Sequence, residues 1–178
     1  MDRRKIAMIW INVLGGAAVL GSYAHGLLTY PETSHQLWGG VPEGLRPVYT
    51  VSMLLAAAGY FPFTWLFARK TTPAEFRAIT GAPYTLLFAL YALVLIPSAL
   101  WLPMTARMIA APDPQLWFEI RAVLALVGIG STGILLAAFR HAAKRGGATS
   151  WAAAVGAVPF FLQTAILDAL VWPAHYPH

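Results

Sequence analysis

The chain is predicted to fold as an all-α integral membrane protein, a bundle of five transmembrane helices, and three observations predict it. Five apolar segments, residues 6–28, 48–67, 84–104, 117–139 and 151–172, fill most of its 178 residues. Each has roughly the 20 apolar residues a helix needs to cross a hydrocarbon core about 30 Å thick. The composition is 58% hydrophobic and only 11% charged, with a mean hydropathy of +0.62, more apolar surface than a soluble domain of this length can hide. No stretch between the segments is long enough to fold alone, so residues 1–178 are expected to form a single transmembrane domain.

The first segment follows Arg3, Arg4 and Lys5. A basic start before an apolar run resembles a secretory signal, and Ser22, Tyr23 and Ala24 could pass for a cleavage site. The run is too long for a signal core, so a retained first span is expected. Asn12, Gly15, Val19, Ser22 and Gly26 share one of its faces. The connection that follows, residues 29–47, is long and carries Pro31, Glu32, His35, Trp38, Pro42, Glu43 and Arg46. Loops of this length in compact domains commonly act as lids.

The second segment presents Tyr49, Ser52, Ala56, Gly59 and Phe63 as a stripe, and a short basic connection with Arg69, Lys70 and Arg77 follows it. In the third, Tyr84, Tyr91, Ser98 and Thr105 recur every seven residues, with Trp101 beside them. A firm stop and restart, Pro112, Asp113 and Pro114, leads into the fourth, which offers Arg121, Ala125, Gly128 and Thr132. Arg140, Lys144 and Arg145 precede the fifth, where Thr164, Asp168 and Trp172 align. Small and polar stripes of this kind mark where helices touch in lipid.

The net charge of +5 lies in three clusters that alternate with weakly charged connections. Positive charge at span ends favours the cytoplasmic side, which puts the amino terminus inside and the carboxyl terminus outside. The basic bias is therefore topological, and nucleic acid is not an expected partner. Cysteine is absent, which excludes disulfides, thiolate metal sites and cysteine nucleophiles.

Asp168, one turn inside the outer end of the fifth segment, is the most informative residue, because an ionisable group at that depth is costly and faces a bundle interior or a wet cavity. Arg121 is its natural partner, either as a structural pair or as joint walls of an outward-facing pocket. Four histidines, His25, His35, His175 and His178, lie toward the outer side; their spacing matches no metal motif, and His25 is the best single ligand for haem or a metal. Most tryptophans sit at span ends, where aromatic belts are expected. Trp38 and Trp101 do not, and aromatic walls suit flat apolar ligands. No hydrolase triad, phosphate loop or paired intramembrane carboxylate is present.

These residues carry a family likeness. Arg46, Pro47, Val48, Tyr49 and Thr50, leading through Ala58, Gly59 and Tyr60, resemble the Pro-Val-Trp-Thr start of the second span in the TspO/MBR family, the tryptophan-rich sensory or translocator proteins. The preceding connection, with Pro31, Trp38 and Pro42, is similar to the family's first loop. Ser98, Trp101 and Pro103 resemble its Asn-x-x-Trp-x-Pro stretch, and Leu167, Asp168 and Trp172 its Leu-Asn-x-x-x-Trp stretch. The resemblance implies a receptor or carrier in a bacterial inner (cytoplasmic) membrane. By it, a planar hydrophobic ligand such as a porphyrin or sterol, or haem, is held under the first loop, often in a homodimer. Carried over, Trp38, Pro47, Tyr49, Trp101, Asp168 and Trp172 would bind it. To these the spacing adds Tyr91, Ser98 and Arg121. Aspartate in place of the family's asparagine at 168 predicts a preference for a cationic or hydrogen-bond-donating group. Alternatives from other classes are an intramembrane enzyme acting on an isoprenoid or tetrapyrrole, with Asp168 as acid or base and Glu32 or Glu119 assisting; a haem- or metal-binding subunit ligated by His25; and a structural accessory subunit.

Overall fold

The computed structural model describes residues 2–29 and 35–177; Tyr30, Pro31, Glu32 and His178, and the expectations that rest on them, lie outside the described residues. The chain is 89% helical with no strand among the described residues. Helix α1 is Arg3–Thr29, α2 is Arg46–Trp65, α3 is Pro73–Thr80, α4 is Thr85–Ala110, α5 is Pro114–Arg145, α6 is Ala148–Phe161 and α7 is Trp172–His175. Helix α2 runs on into a π-wound turn, Leu66–Lys70, and a π-wound stretch, Leu162–Val171, joins α6 to α7. With those continuations, five of these units are long and apolar enough to span a membrane.

The apolar side chains confirm where the surroundings must be apolar. Leu14, Leu20, Leu28, Phe61, Phe118 and Leu170 point outward and are exposed. Water would not tolerate apolar surface on that scale, whereas lipid does. The protein is a multi-pass membrane protein.

In space the spans follow the order α1, α4, α5, α6, α2, with α1 reaching the π turn at the end of α2. Small residues set the distances. Gly15 and Gly26 of α1 receive Leu95 and Leu102 of α4, and Gly59 of α2 lies directly on Gly156 of α6. On α2 the expected stripe is the buried one: Tyr49, Ala56, Gly59 and Phe63 all face inward. On α5 it is not. Arg121 and Ala125 are exposed, and the buried face runs through Ile120, Leu124, Val127, Gly128 and Ser131. That face is the more apolar one, so an outward Arg121 avoids burying a guanidinium.

The π-wound segments begin three or four residues beyond Pro62 and Pro159. Proline lacks the N–H of an α-helical hydrogen bond and its ring presses on the preceding turn. Local π adjustment re-satisfies the freed groups.

Helix α3 replaces part of what the sequence presents as a short loop. Thr72 accepts from the Glu75 N–H at 3.2 Å while the Glu75 carboxylate accepts from the Thr72 N–H, Pro73 occupies the first turn, and Gly81 closes the helix in the left-handed region. We call the end of the bundle that carries α3 the basic end, and the opposite end, with the Gln36–Trp38 and Glu43–Leu45 single turns, the loop end.

Candidate functional site

Two aromatic clusters divide the bundle. Near its middle, toward the basic end, Tyr60, Phe63, Tyr91 and Phe160 pack in edge-to-face and tilted ring pairs. Tyr60 donates to Asn12 of α1, and the Tyr91 hydroxyl lies 2.9 Å from that of Thr64. Tyr91 therefore does not join Trp101, as the seven-residue repeat suggested. Ten residues of helix separate them by about 15 Å along the axis.

The second cluster, at the loop end, gathers Trp38, Tyr49, Trp101, Trp117, Trp172 and Tyr176 around Val41, Met108, Leu116 and Ile120. Trp172 is its hub. Its ring meets Trp101 at 5.8 Å, Trp117 at 5.9 Å and Tyr176 at 4.8 Å between centroids, and its Nε1–H donates to the Leu37 carbonyl at 2.9 Å. Gly39, at φ +57°, and Gly40 lie against Tyr176 and His175. The 35–45 connection is thus docked on the carboxyl-terminal end of the chain. Trp38 stands edge-on to Tyr49 at 6.1 Å, with the Arg46 guanidinium 5.9 Å from its centroid. The Tyr49 hydroxyl donates to the Leu167 carbonyl at 2.9 Å, in the π-wound stretch.

Asp168 lies half-buried beneath this cluster. It accepts a hydrogen bond from the Gln163 amide at 2.8 Å. Its carboxylate is within electrostatic reach of the hydroxyls of Tyr23 and Tyr49, and Tyr23 in turn packs on Trp101 at 6.0 Å. Four helices contribute: α1 gives Tyr23, α2 Tyr49, α4 Trp101, and the π-wound stretch Gln163 and Asp168. Three buried side-chain atoms have no hydrogen-bond partner within the protein, counting the described residues: Trp101 Nε1, Thr105 Oγ1 and Gln163 Oε1. All three belong to the loop-end half.

Of the residues singled out from sequence, Trp38, Tyr49, Trp101, Asp168 and Trp172 come together here. Arg121 does not: it is exposed and pairs with no carboxylate among the described residues, and the hydrogen-bond partner of Asp168 is Gln163. Pro47 is exposed too and borders a different groove, of about 620 Å³, between α2 and the π-wound stretch. Ser98 is half-buried on α4, one turn from Trp101. His25 is exposed and contacts Thr29 at 3.3 Å, and no group of three or more His, Asp or Glu side chains suited to a metal occurs among the described residues.

Sequence reasoning missed Gln163 and Tyr23 as site residues. Tyr23 was readable, since it shares the face of Val19 and Gly26. Gln163 was not. Five residues apart on an α-helix, Gln163 and Asp168 would point about 140° away from each other. Only π winding, whose hydrogen bonds run from residue i to i+5 and whose turns hold more residues than an α-helix, brings both toward one face. No family model, curated protein or solved structure matches the chain.

Proposed function

We propose that the protein is a TspO-like membrane receptor or carrier that takes a hydrophobic planar ligand, porphyrin- or sterol-like, into the loop-end half of the bundle. The observation that carries the reading is that this half holds three buried, unpartnered polar atoms alongside its aromatic cluster. A buried donor or acceptor left unmade costs about 1–3 kcal/mol, so a ligand that satisfies Trp101 Nε1, Thr105 Oγ1 and Gln163 Oε1 recovers that cost on binding. Tyr23, Tyr49 and Trp101 supply ring faces and edges, Asp168 supplies an anchor for a cationic or donating group, and the docked 35–45 connection serves as the lid. The basic clusters at the opposite end orient the protein, with the amino terminus in the cytoplasm and the site opening outward.

The test is a titration of the purified protein with a porphyrin, followed by tryptophan fluorescence. Saturable quenching is expected, weakened by Trp101→Phe and by Asp168→Asn. Quenching that both substitutions leave unchanged overturns the site, and the absence of quenching overturns the ligand class.

A further inference from the structure

At the basic end a groove of about 900 Å³ opens between α1, α2 and the start of α6. Its walls are apolar: Ile9 and Val13 on one side, Phe61 and Trp65 on another, Ala148 and Ala152 on the third. Of the uncharged polar side chains in its lining, Thr149 stands at the start of α6, by the rim, and the two deeper ones, Asn12 and Thr64, are already engaged. Asn12 donates to the Met8 carbonyl at 2.8 Å and accepts from Tyr60, and Thr64 pairs with Tyr91. The shaft therefore asks nothing of an occupant except apolar surface.

Its mouth asks for the opposite. Arg69 lines it, with its guanidinium 5.5 Å from the Trp65 ring centroid, and the Lys70 ammonium lies 5.9 Å from the same ring. The Lys5 ammonium donates to the Arg69 carbonyl at 2.7 Å, which brings a third cation to the rim. None of the three pairs with a carboxylate among the described residues. From Phe61 to Arg69 the wall runs about 12 Å along the helix axis, a depth that suits an extended acyl chain.

We propose that this groove is a binding site for an anionic phospholipid, with its phosphate at Arg69, Lys70 and Lys5 and one acyl chain laid between α1 and α2. The charge of the mouth selects the occupant, because basic residues at a membrane surface favour acidic over zwitterionic lipids. The site is separate from the loop-end cluster.

Trp65 at the mouth supplies the reporter. The full-length protein is placed in phosphatidylcholine vesicles containing a minor fraction of phosphatidylglycerol brominated on the acyl carbons nearest the headgroup. The comparison is the same fraction of identically brominated phosphatidylcholine. Half-quenching is expected at roughly thirty- to a hundredfold less brominated phosphatidylglycerol, the order set by two or three basic residues near a charged surface. The excess should vanish in Trp65→Phe, which removes the reporter, in the double variant Arg69→Ala, Lys70→Ala, and in Ala148→Phe, which fills an exposed part of the groove. It should persist in Arg140→Ala, Lys144→Ala, which removes equal charge elsewhere at the same end. Circular dichroism and melting of each variant keep misfolding distinct from lost binding. Equal quenching by the two lipids overturns the proposal. So does an excess that survives Trp65→Phe, or one lost equally in both double variants, which would mark diffuse surface charge.

Discussion

Gly59 on α2 and Gly156 on α6 meet backbone against backbone, so closely that a Cβ on Gly156 would stand 2.8 Å from the Gly59 carbonyl oxygen. Lipid gives helices no hydrophobic reason to associate, so such contact is what joins these two spans. Adding a methyl group here must push backbone, not a flexible side chain. Gly59→Ala is expected to destabilise the protein by about 1–3 kcal/mol, the range for overpacking. Gly16→Ala, on an open face of α1 with nothing within 4 Å, should be neutral or slightly stabilising. Thermal unfolding in a single detergent compares the two; equal losses would show that the contact is not what matters at Gly59.

Trp172 ties the 35–45 connection to the carboxyl-terminal helix through its bond to Leu37. Trp172→Phe keeps most of the ring but leaves the Leu37 carbonyl without that donor, at an expected cost of about 1 kcal/mol. The effect should be local. Limited proteolysis within residues 35–45 is expected to accelerate severalfold, with cleavage elsewhere unchanged.

The basic end holds a hydroxyl–imidazole–hydroxyl bridge. His141 is buried, with Nδ1 3.1 Å from Ser150 Oγ and Nε2 3.2 Å from Thr71 Oγ1. It joins α5, α6 and the segment before α3. His141→Ala removes a packed ring and orphans two buried hydroxyls, so a loss of about 2–4 kcal/mol is expected. His141→Asn, able to bond one hydroxyl, should lose less; melting temperatures of the two variants provide the check.

Glu75 accepts from Arg145 Nε at 2.8 Å, but the Arg145 side chain is 67% exposed. An ion pair this open to solvent contributes about 0–1 kcal/mol and weakens with salt. Glu75→Gln should therefore shift the melting temperature little, and the shift should shrink further in high salt.

How far the sequence leads depends on the kind of signal. The five spans were legible because an apolar run of some 20 residues has few alternatives. Their ends were not, since helices outlast their apolar stretches: α5 continues past Phe139 to Arg145 on good helix formers whose cations suit a helix carboxyl terminus. Helix α3 was legible in principle, because Thr72, Pro73 and Glu75 spell a capping box; its modest length and basic surroundings made it pass for a loop. Of the aromatic members of the candidate site, Trp38 and Trp101 were legible as residues that lacked a place in an ordinary aromatic belt, while Tyr49 and Trp172 were singled out through the helix stripes and the family resemblance. The partner of Asp168 was not, because charge suggested Arg121 where geometry brings Gln163.

That geometry makes the π-wound stretch a register device. Such a stretch packs more residues into each turn than an α-helix holds. Rewinding one of its turns to α would hand the surplus residue onward and rotate everything beyond it by about 100°. Trp172 would swing off both Trp101 and Leu37, and the 35–45 connection would lose its dock. The winding of residues 162–171 and the seating of the loop are thereby coupled: the dock at Trp172 is built on the π register.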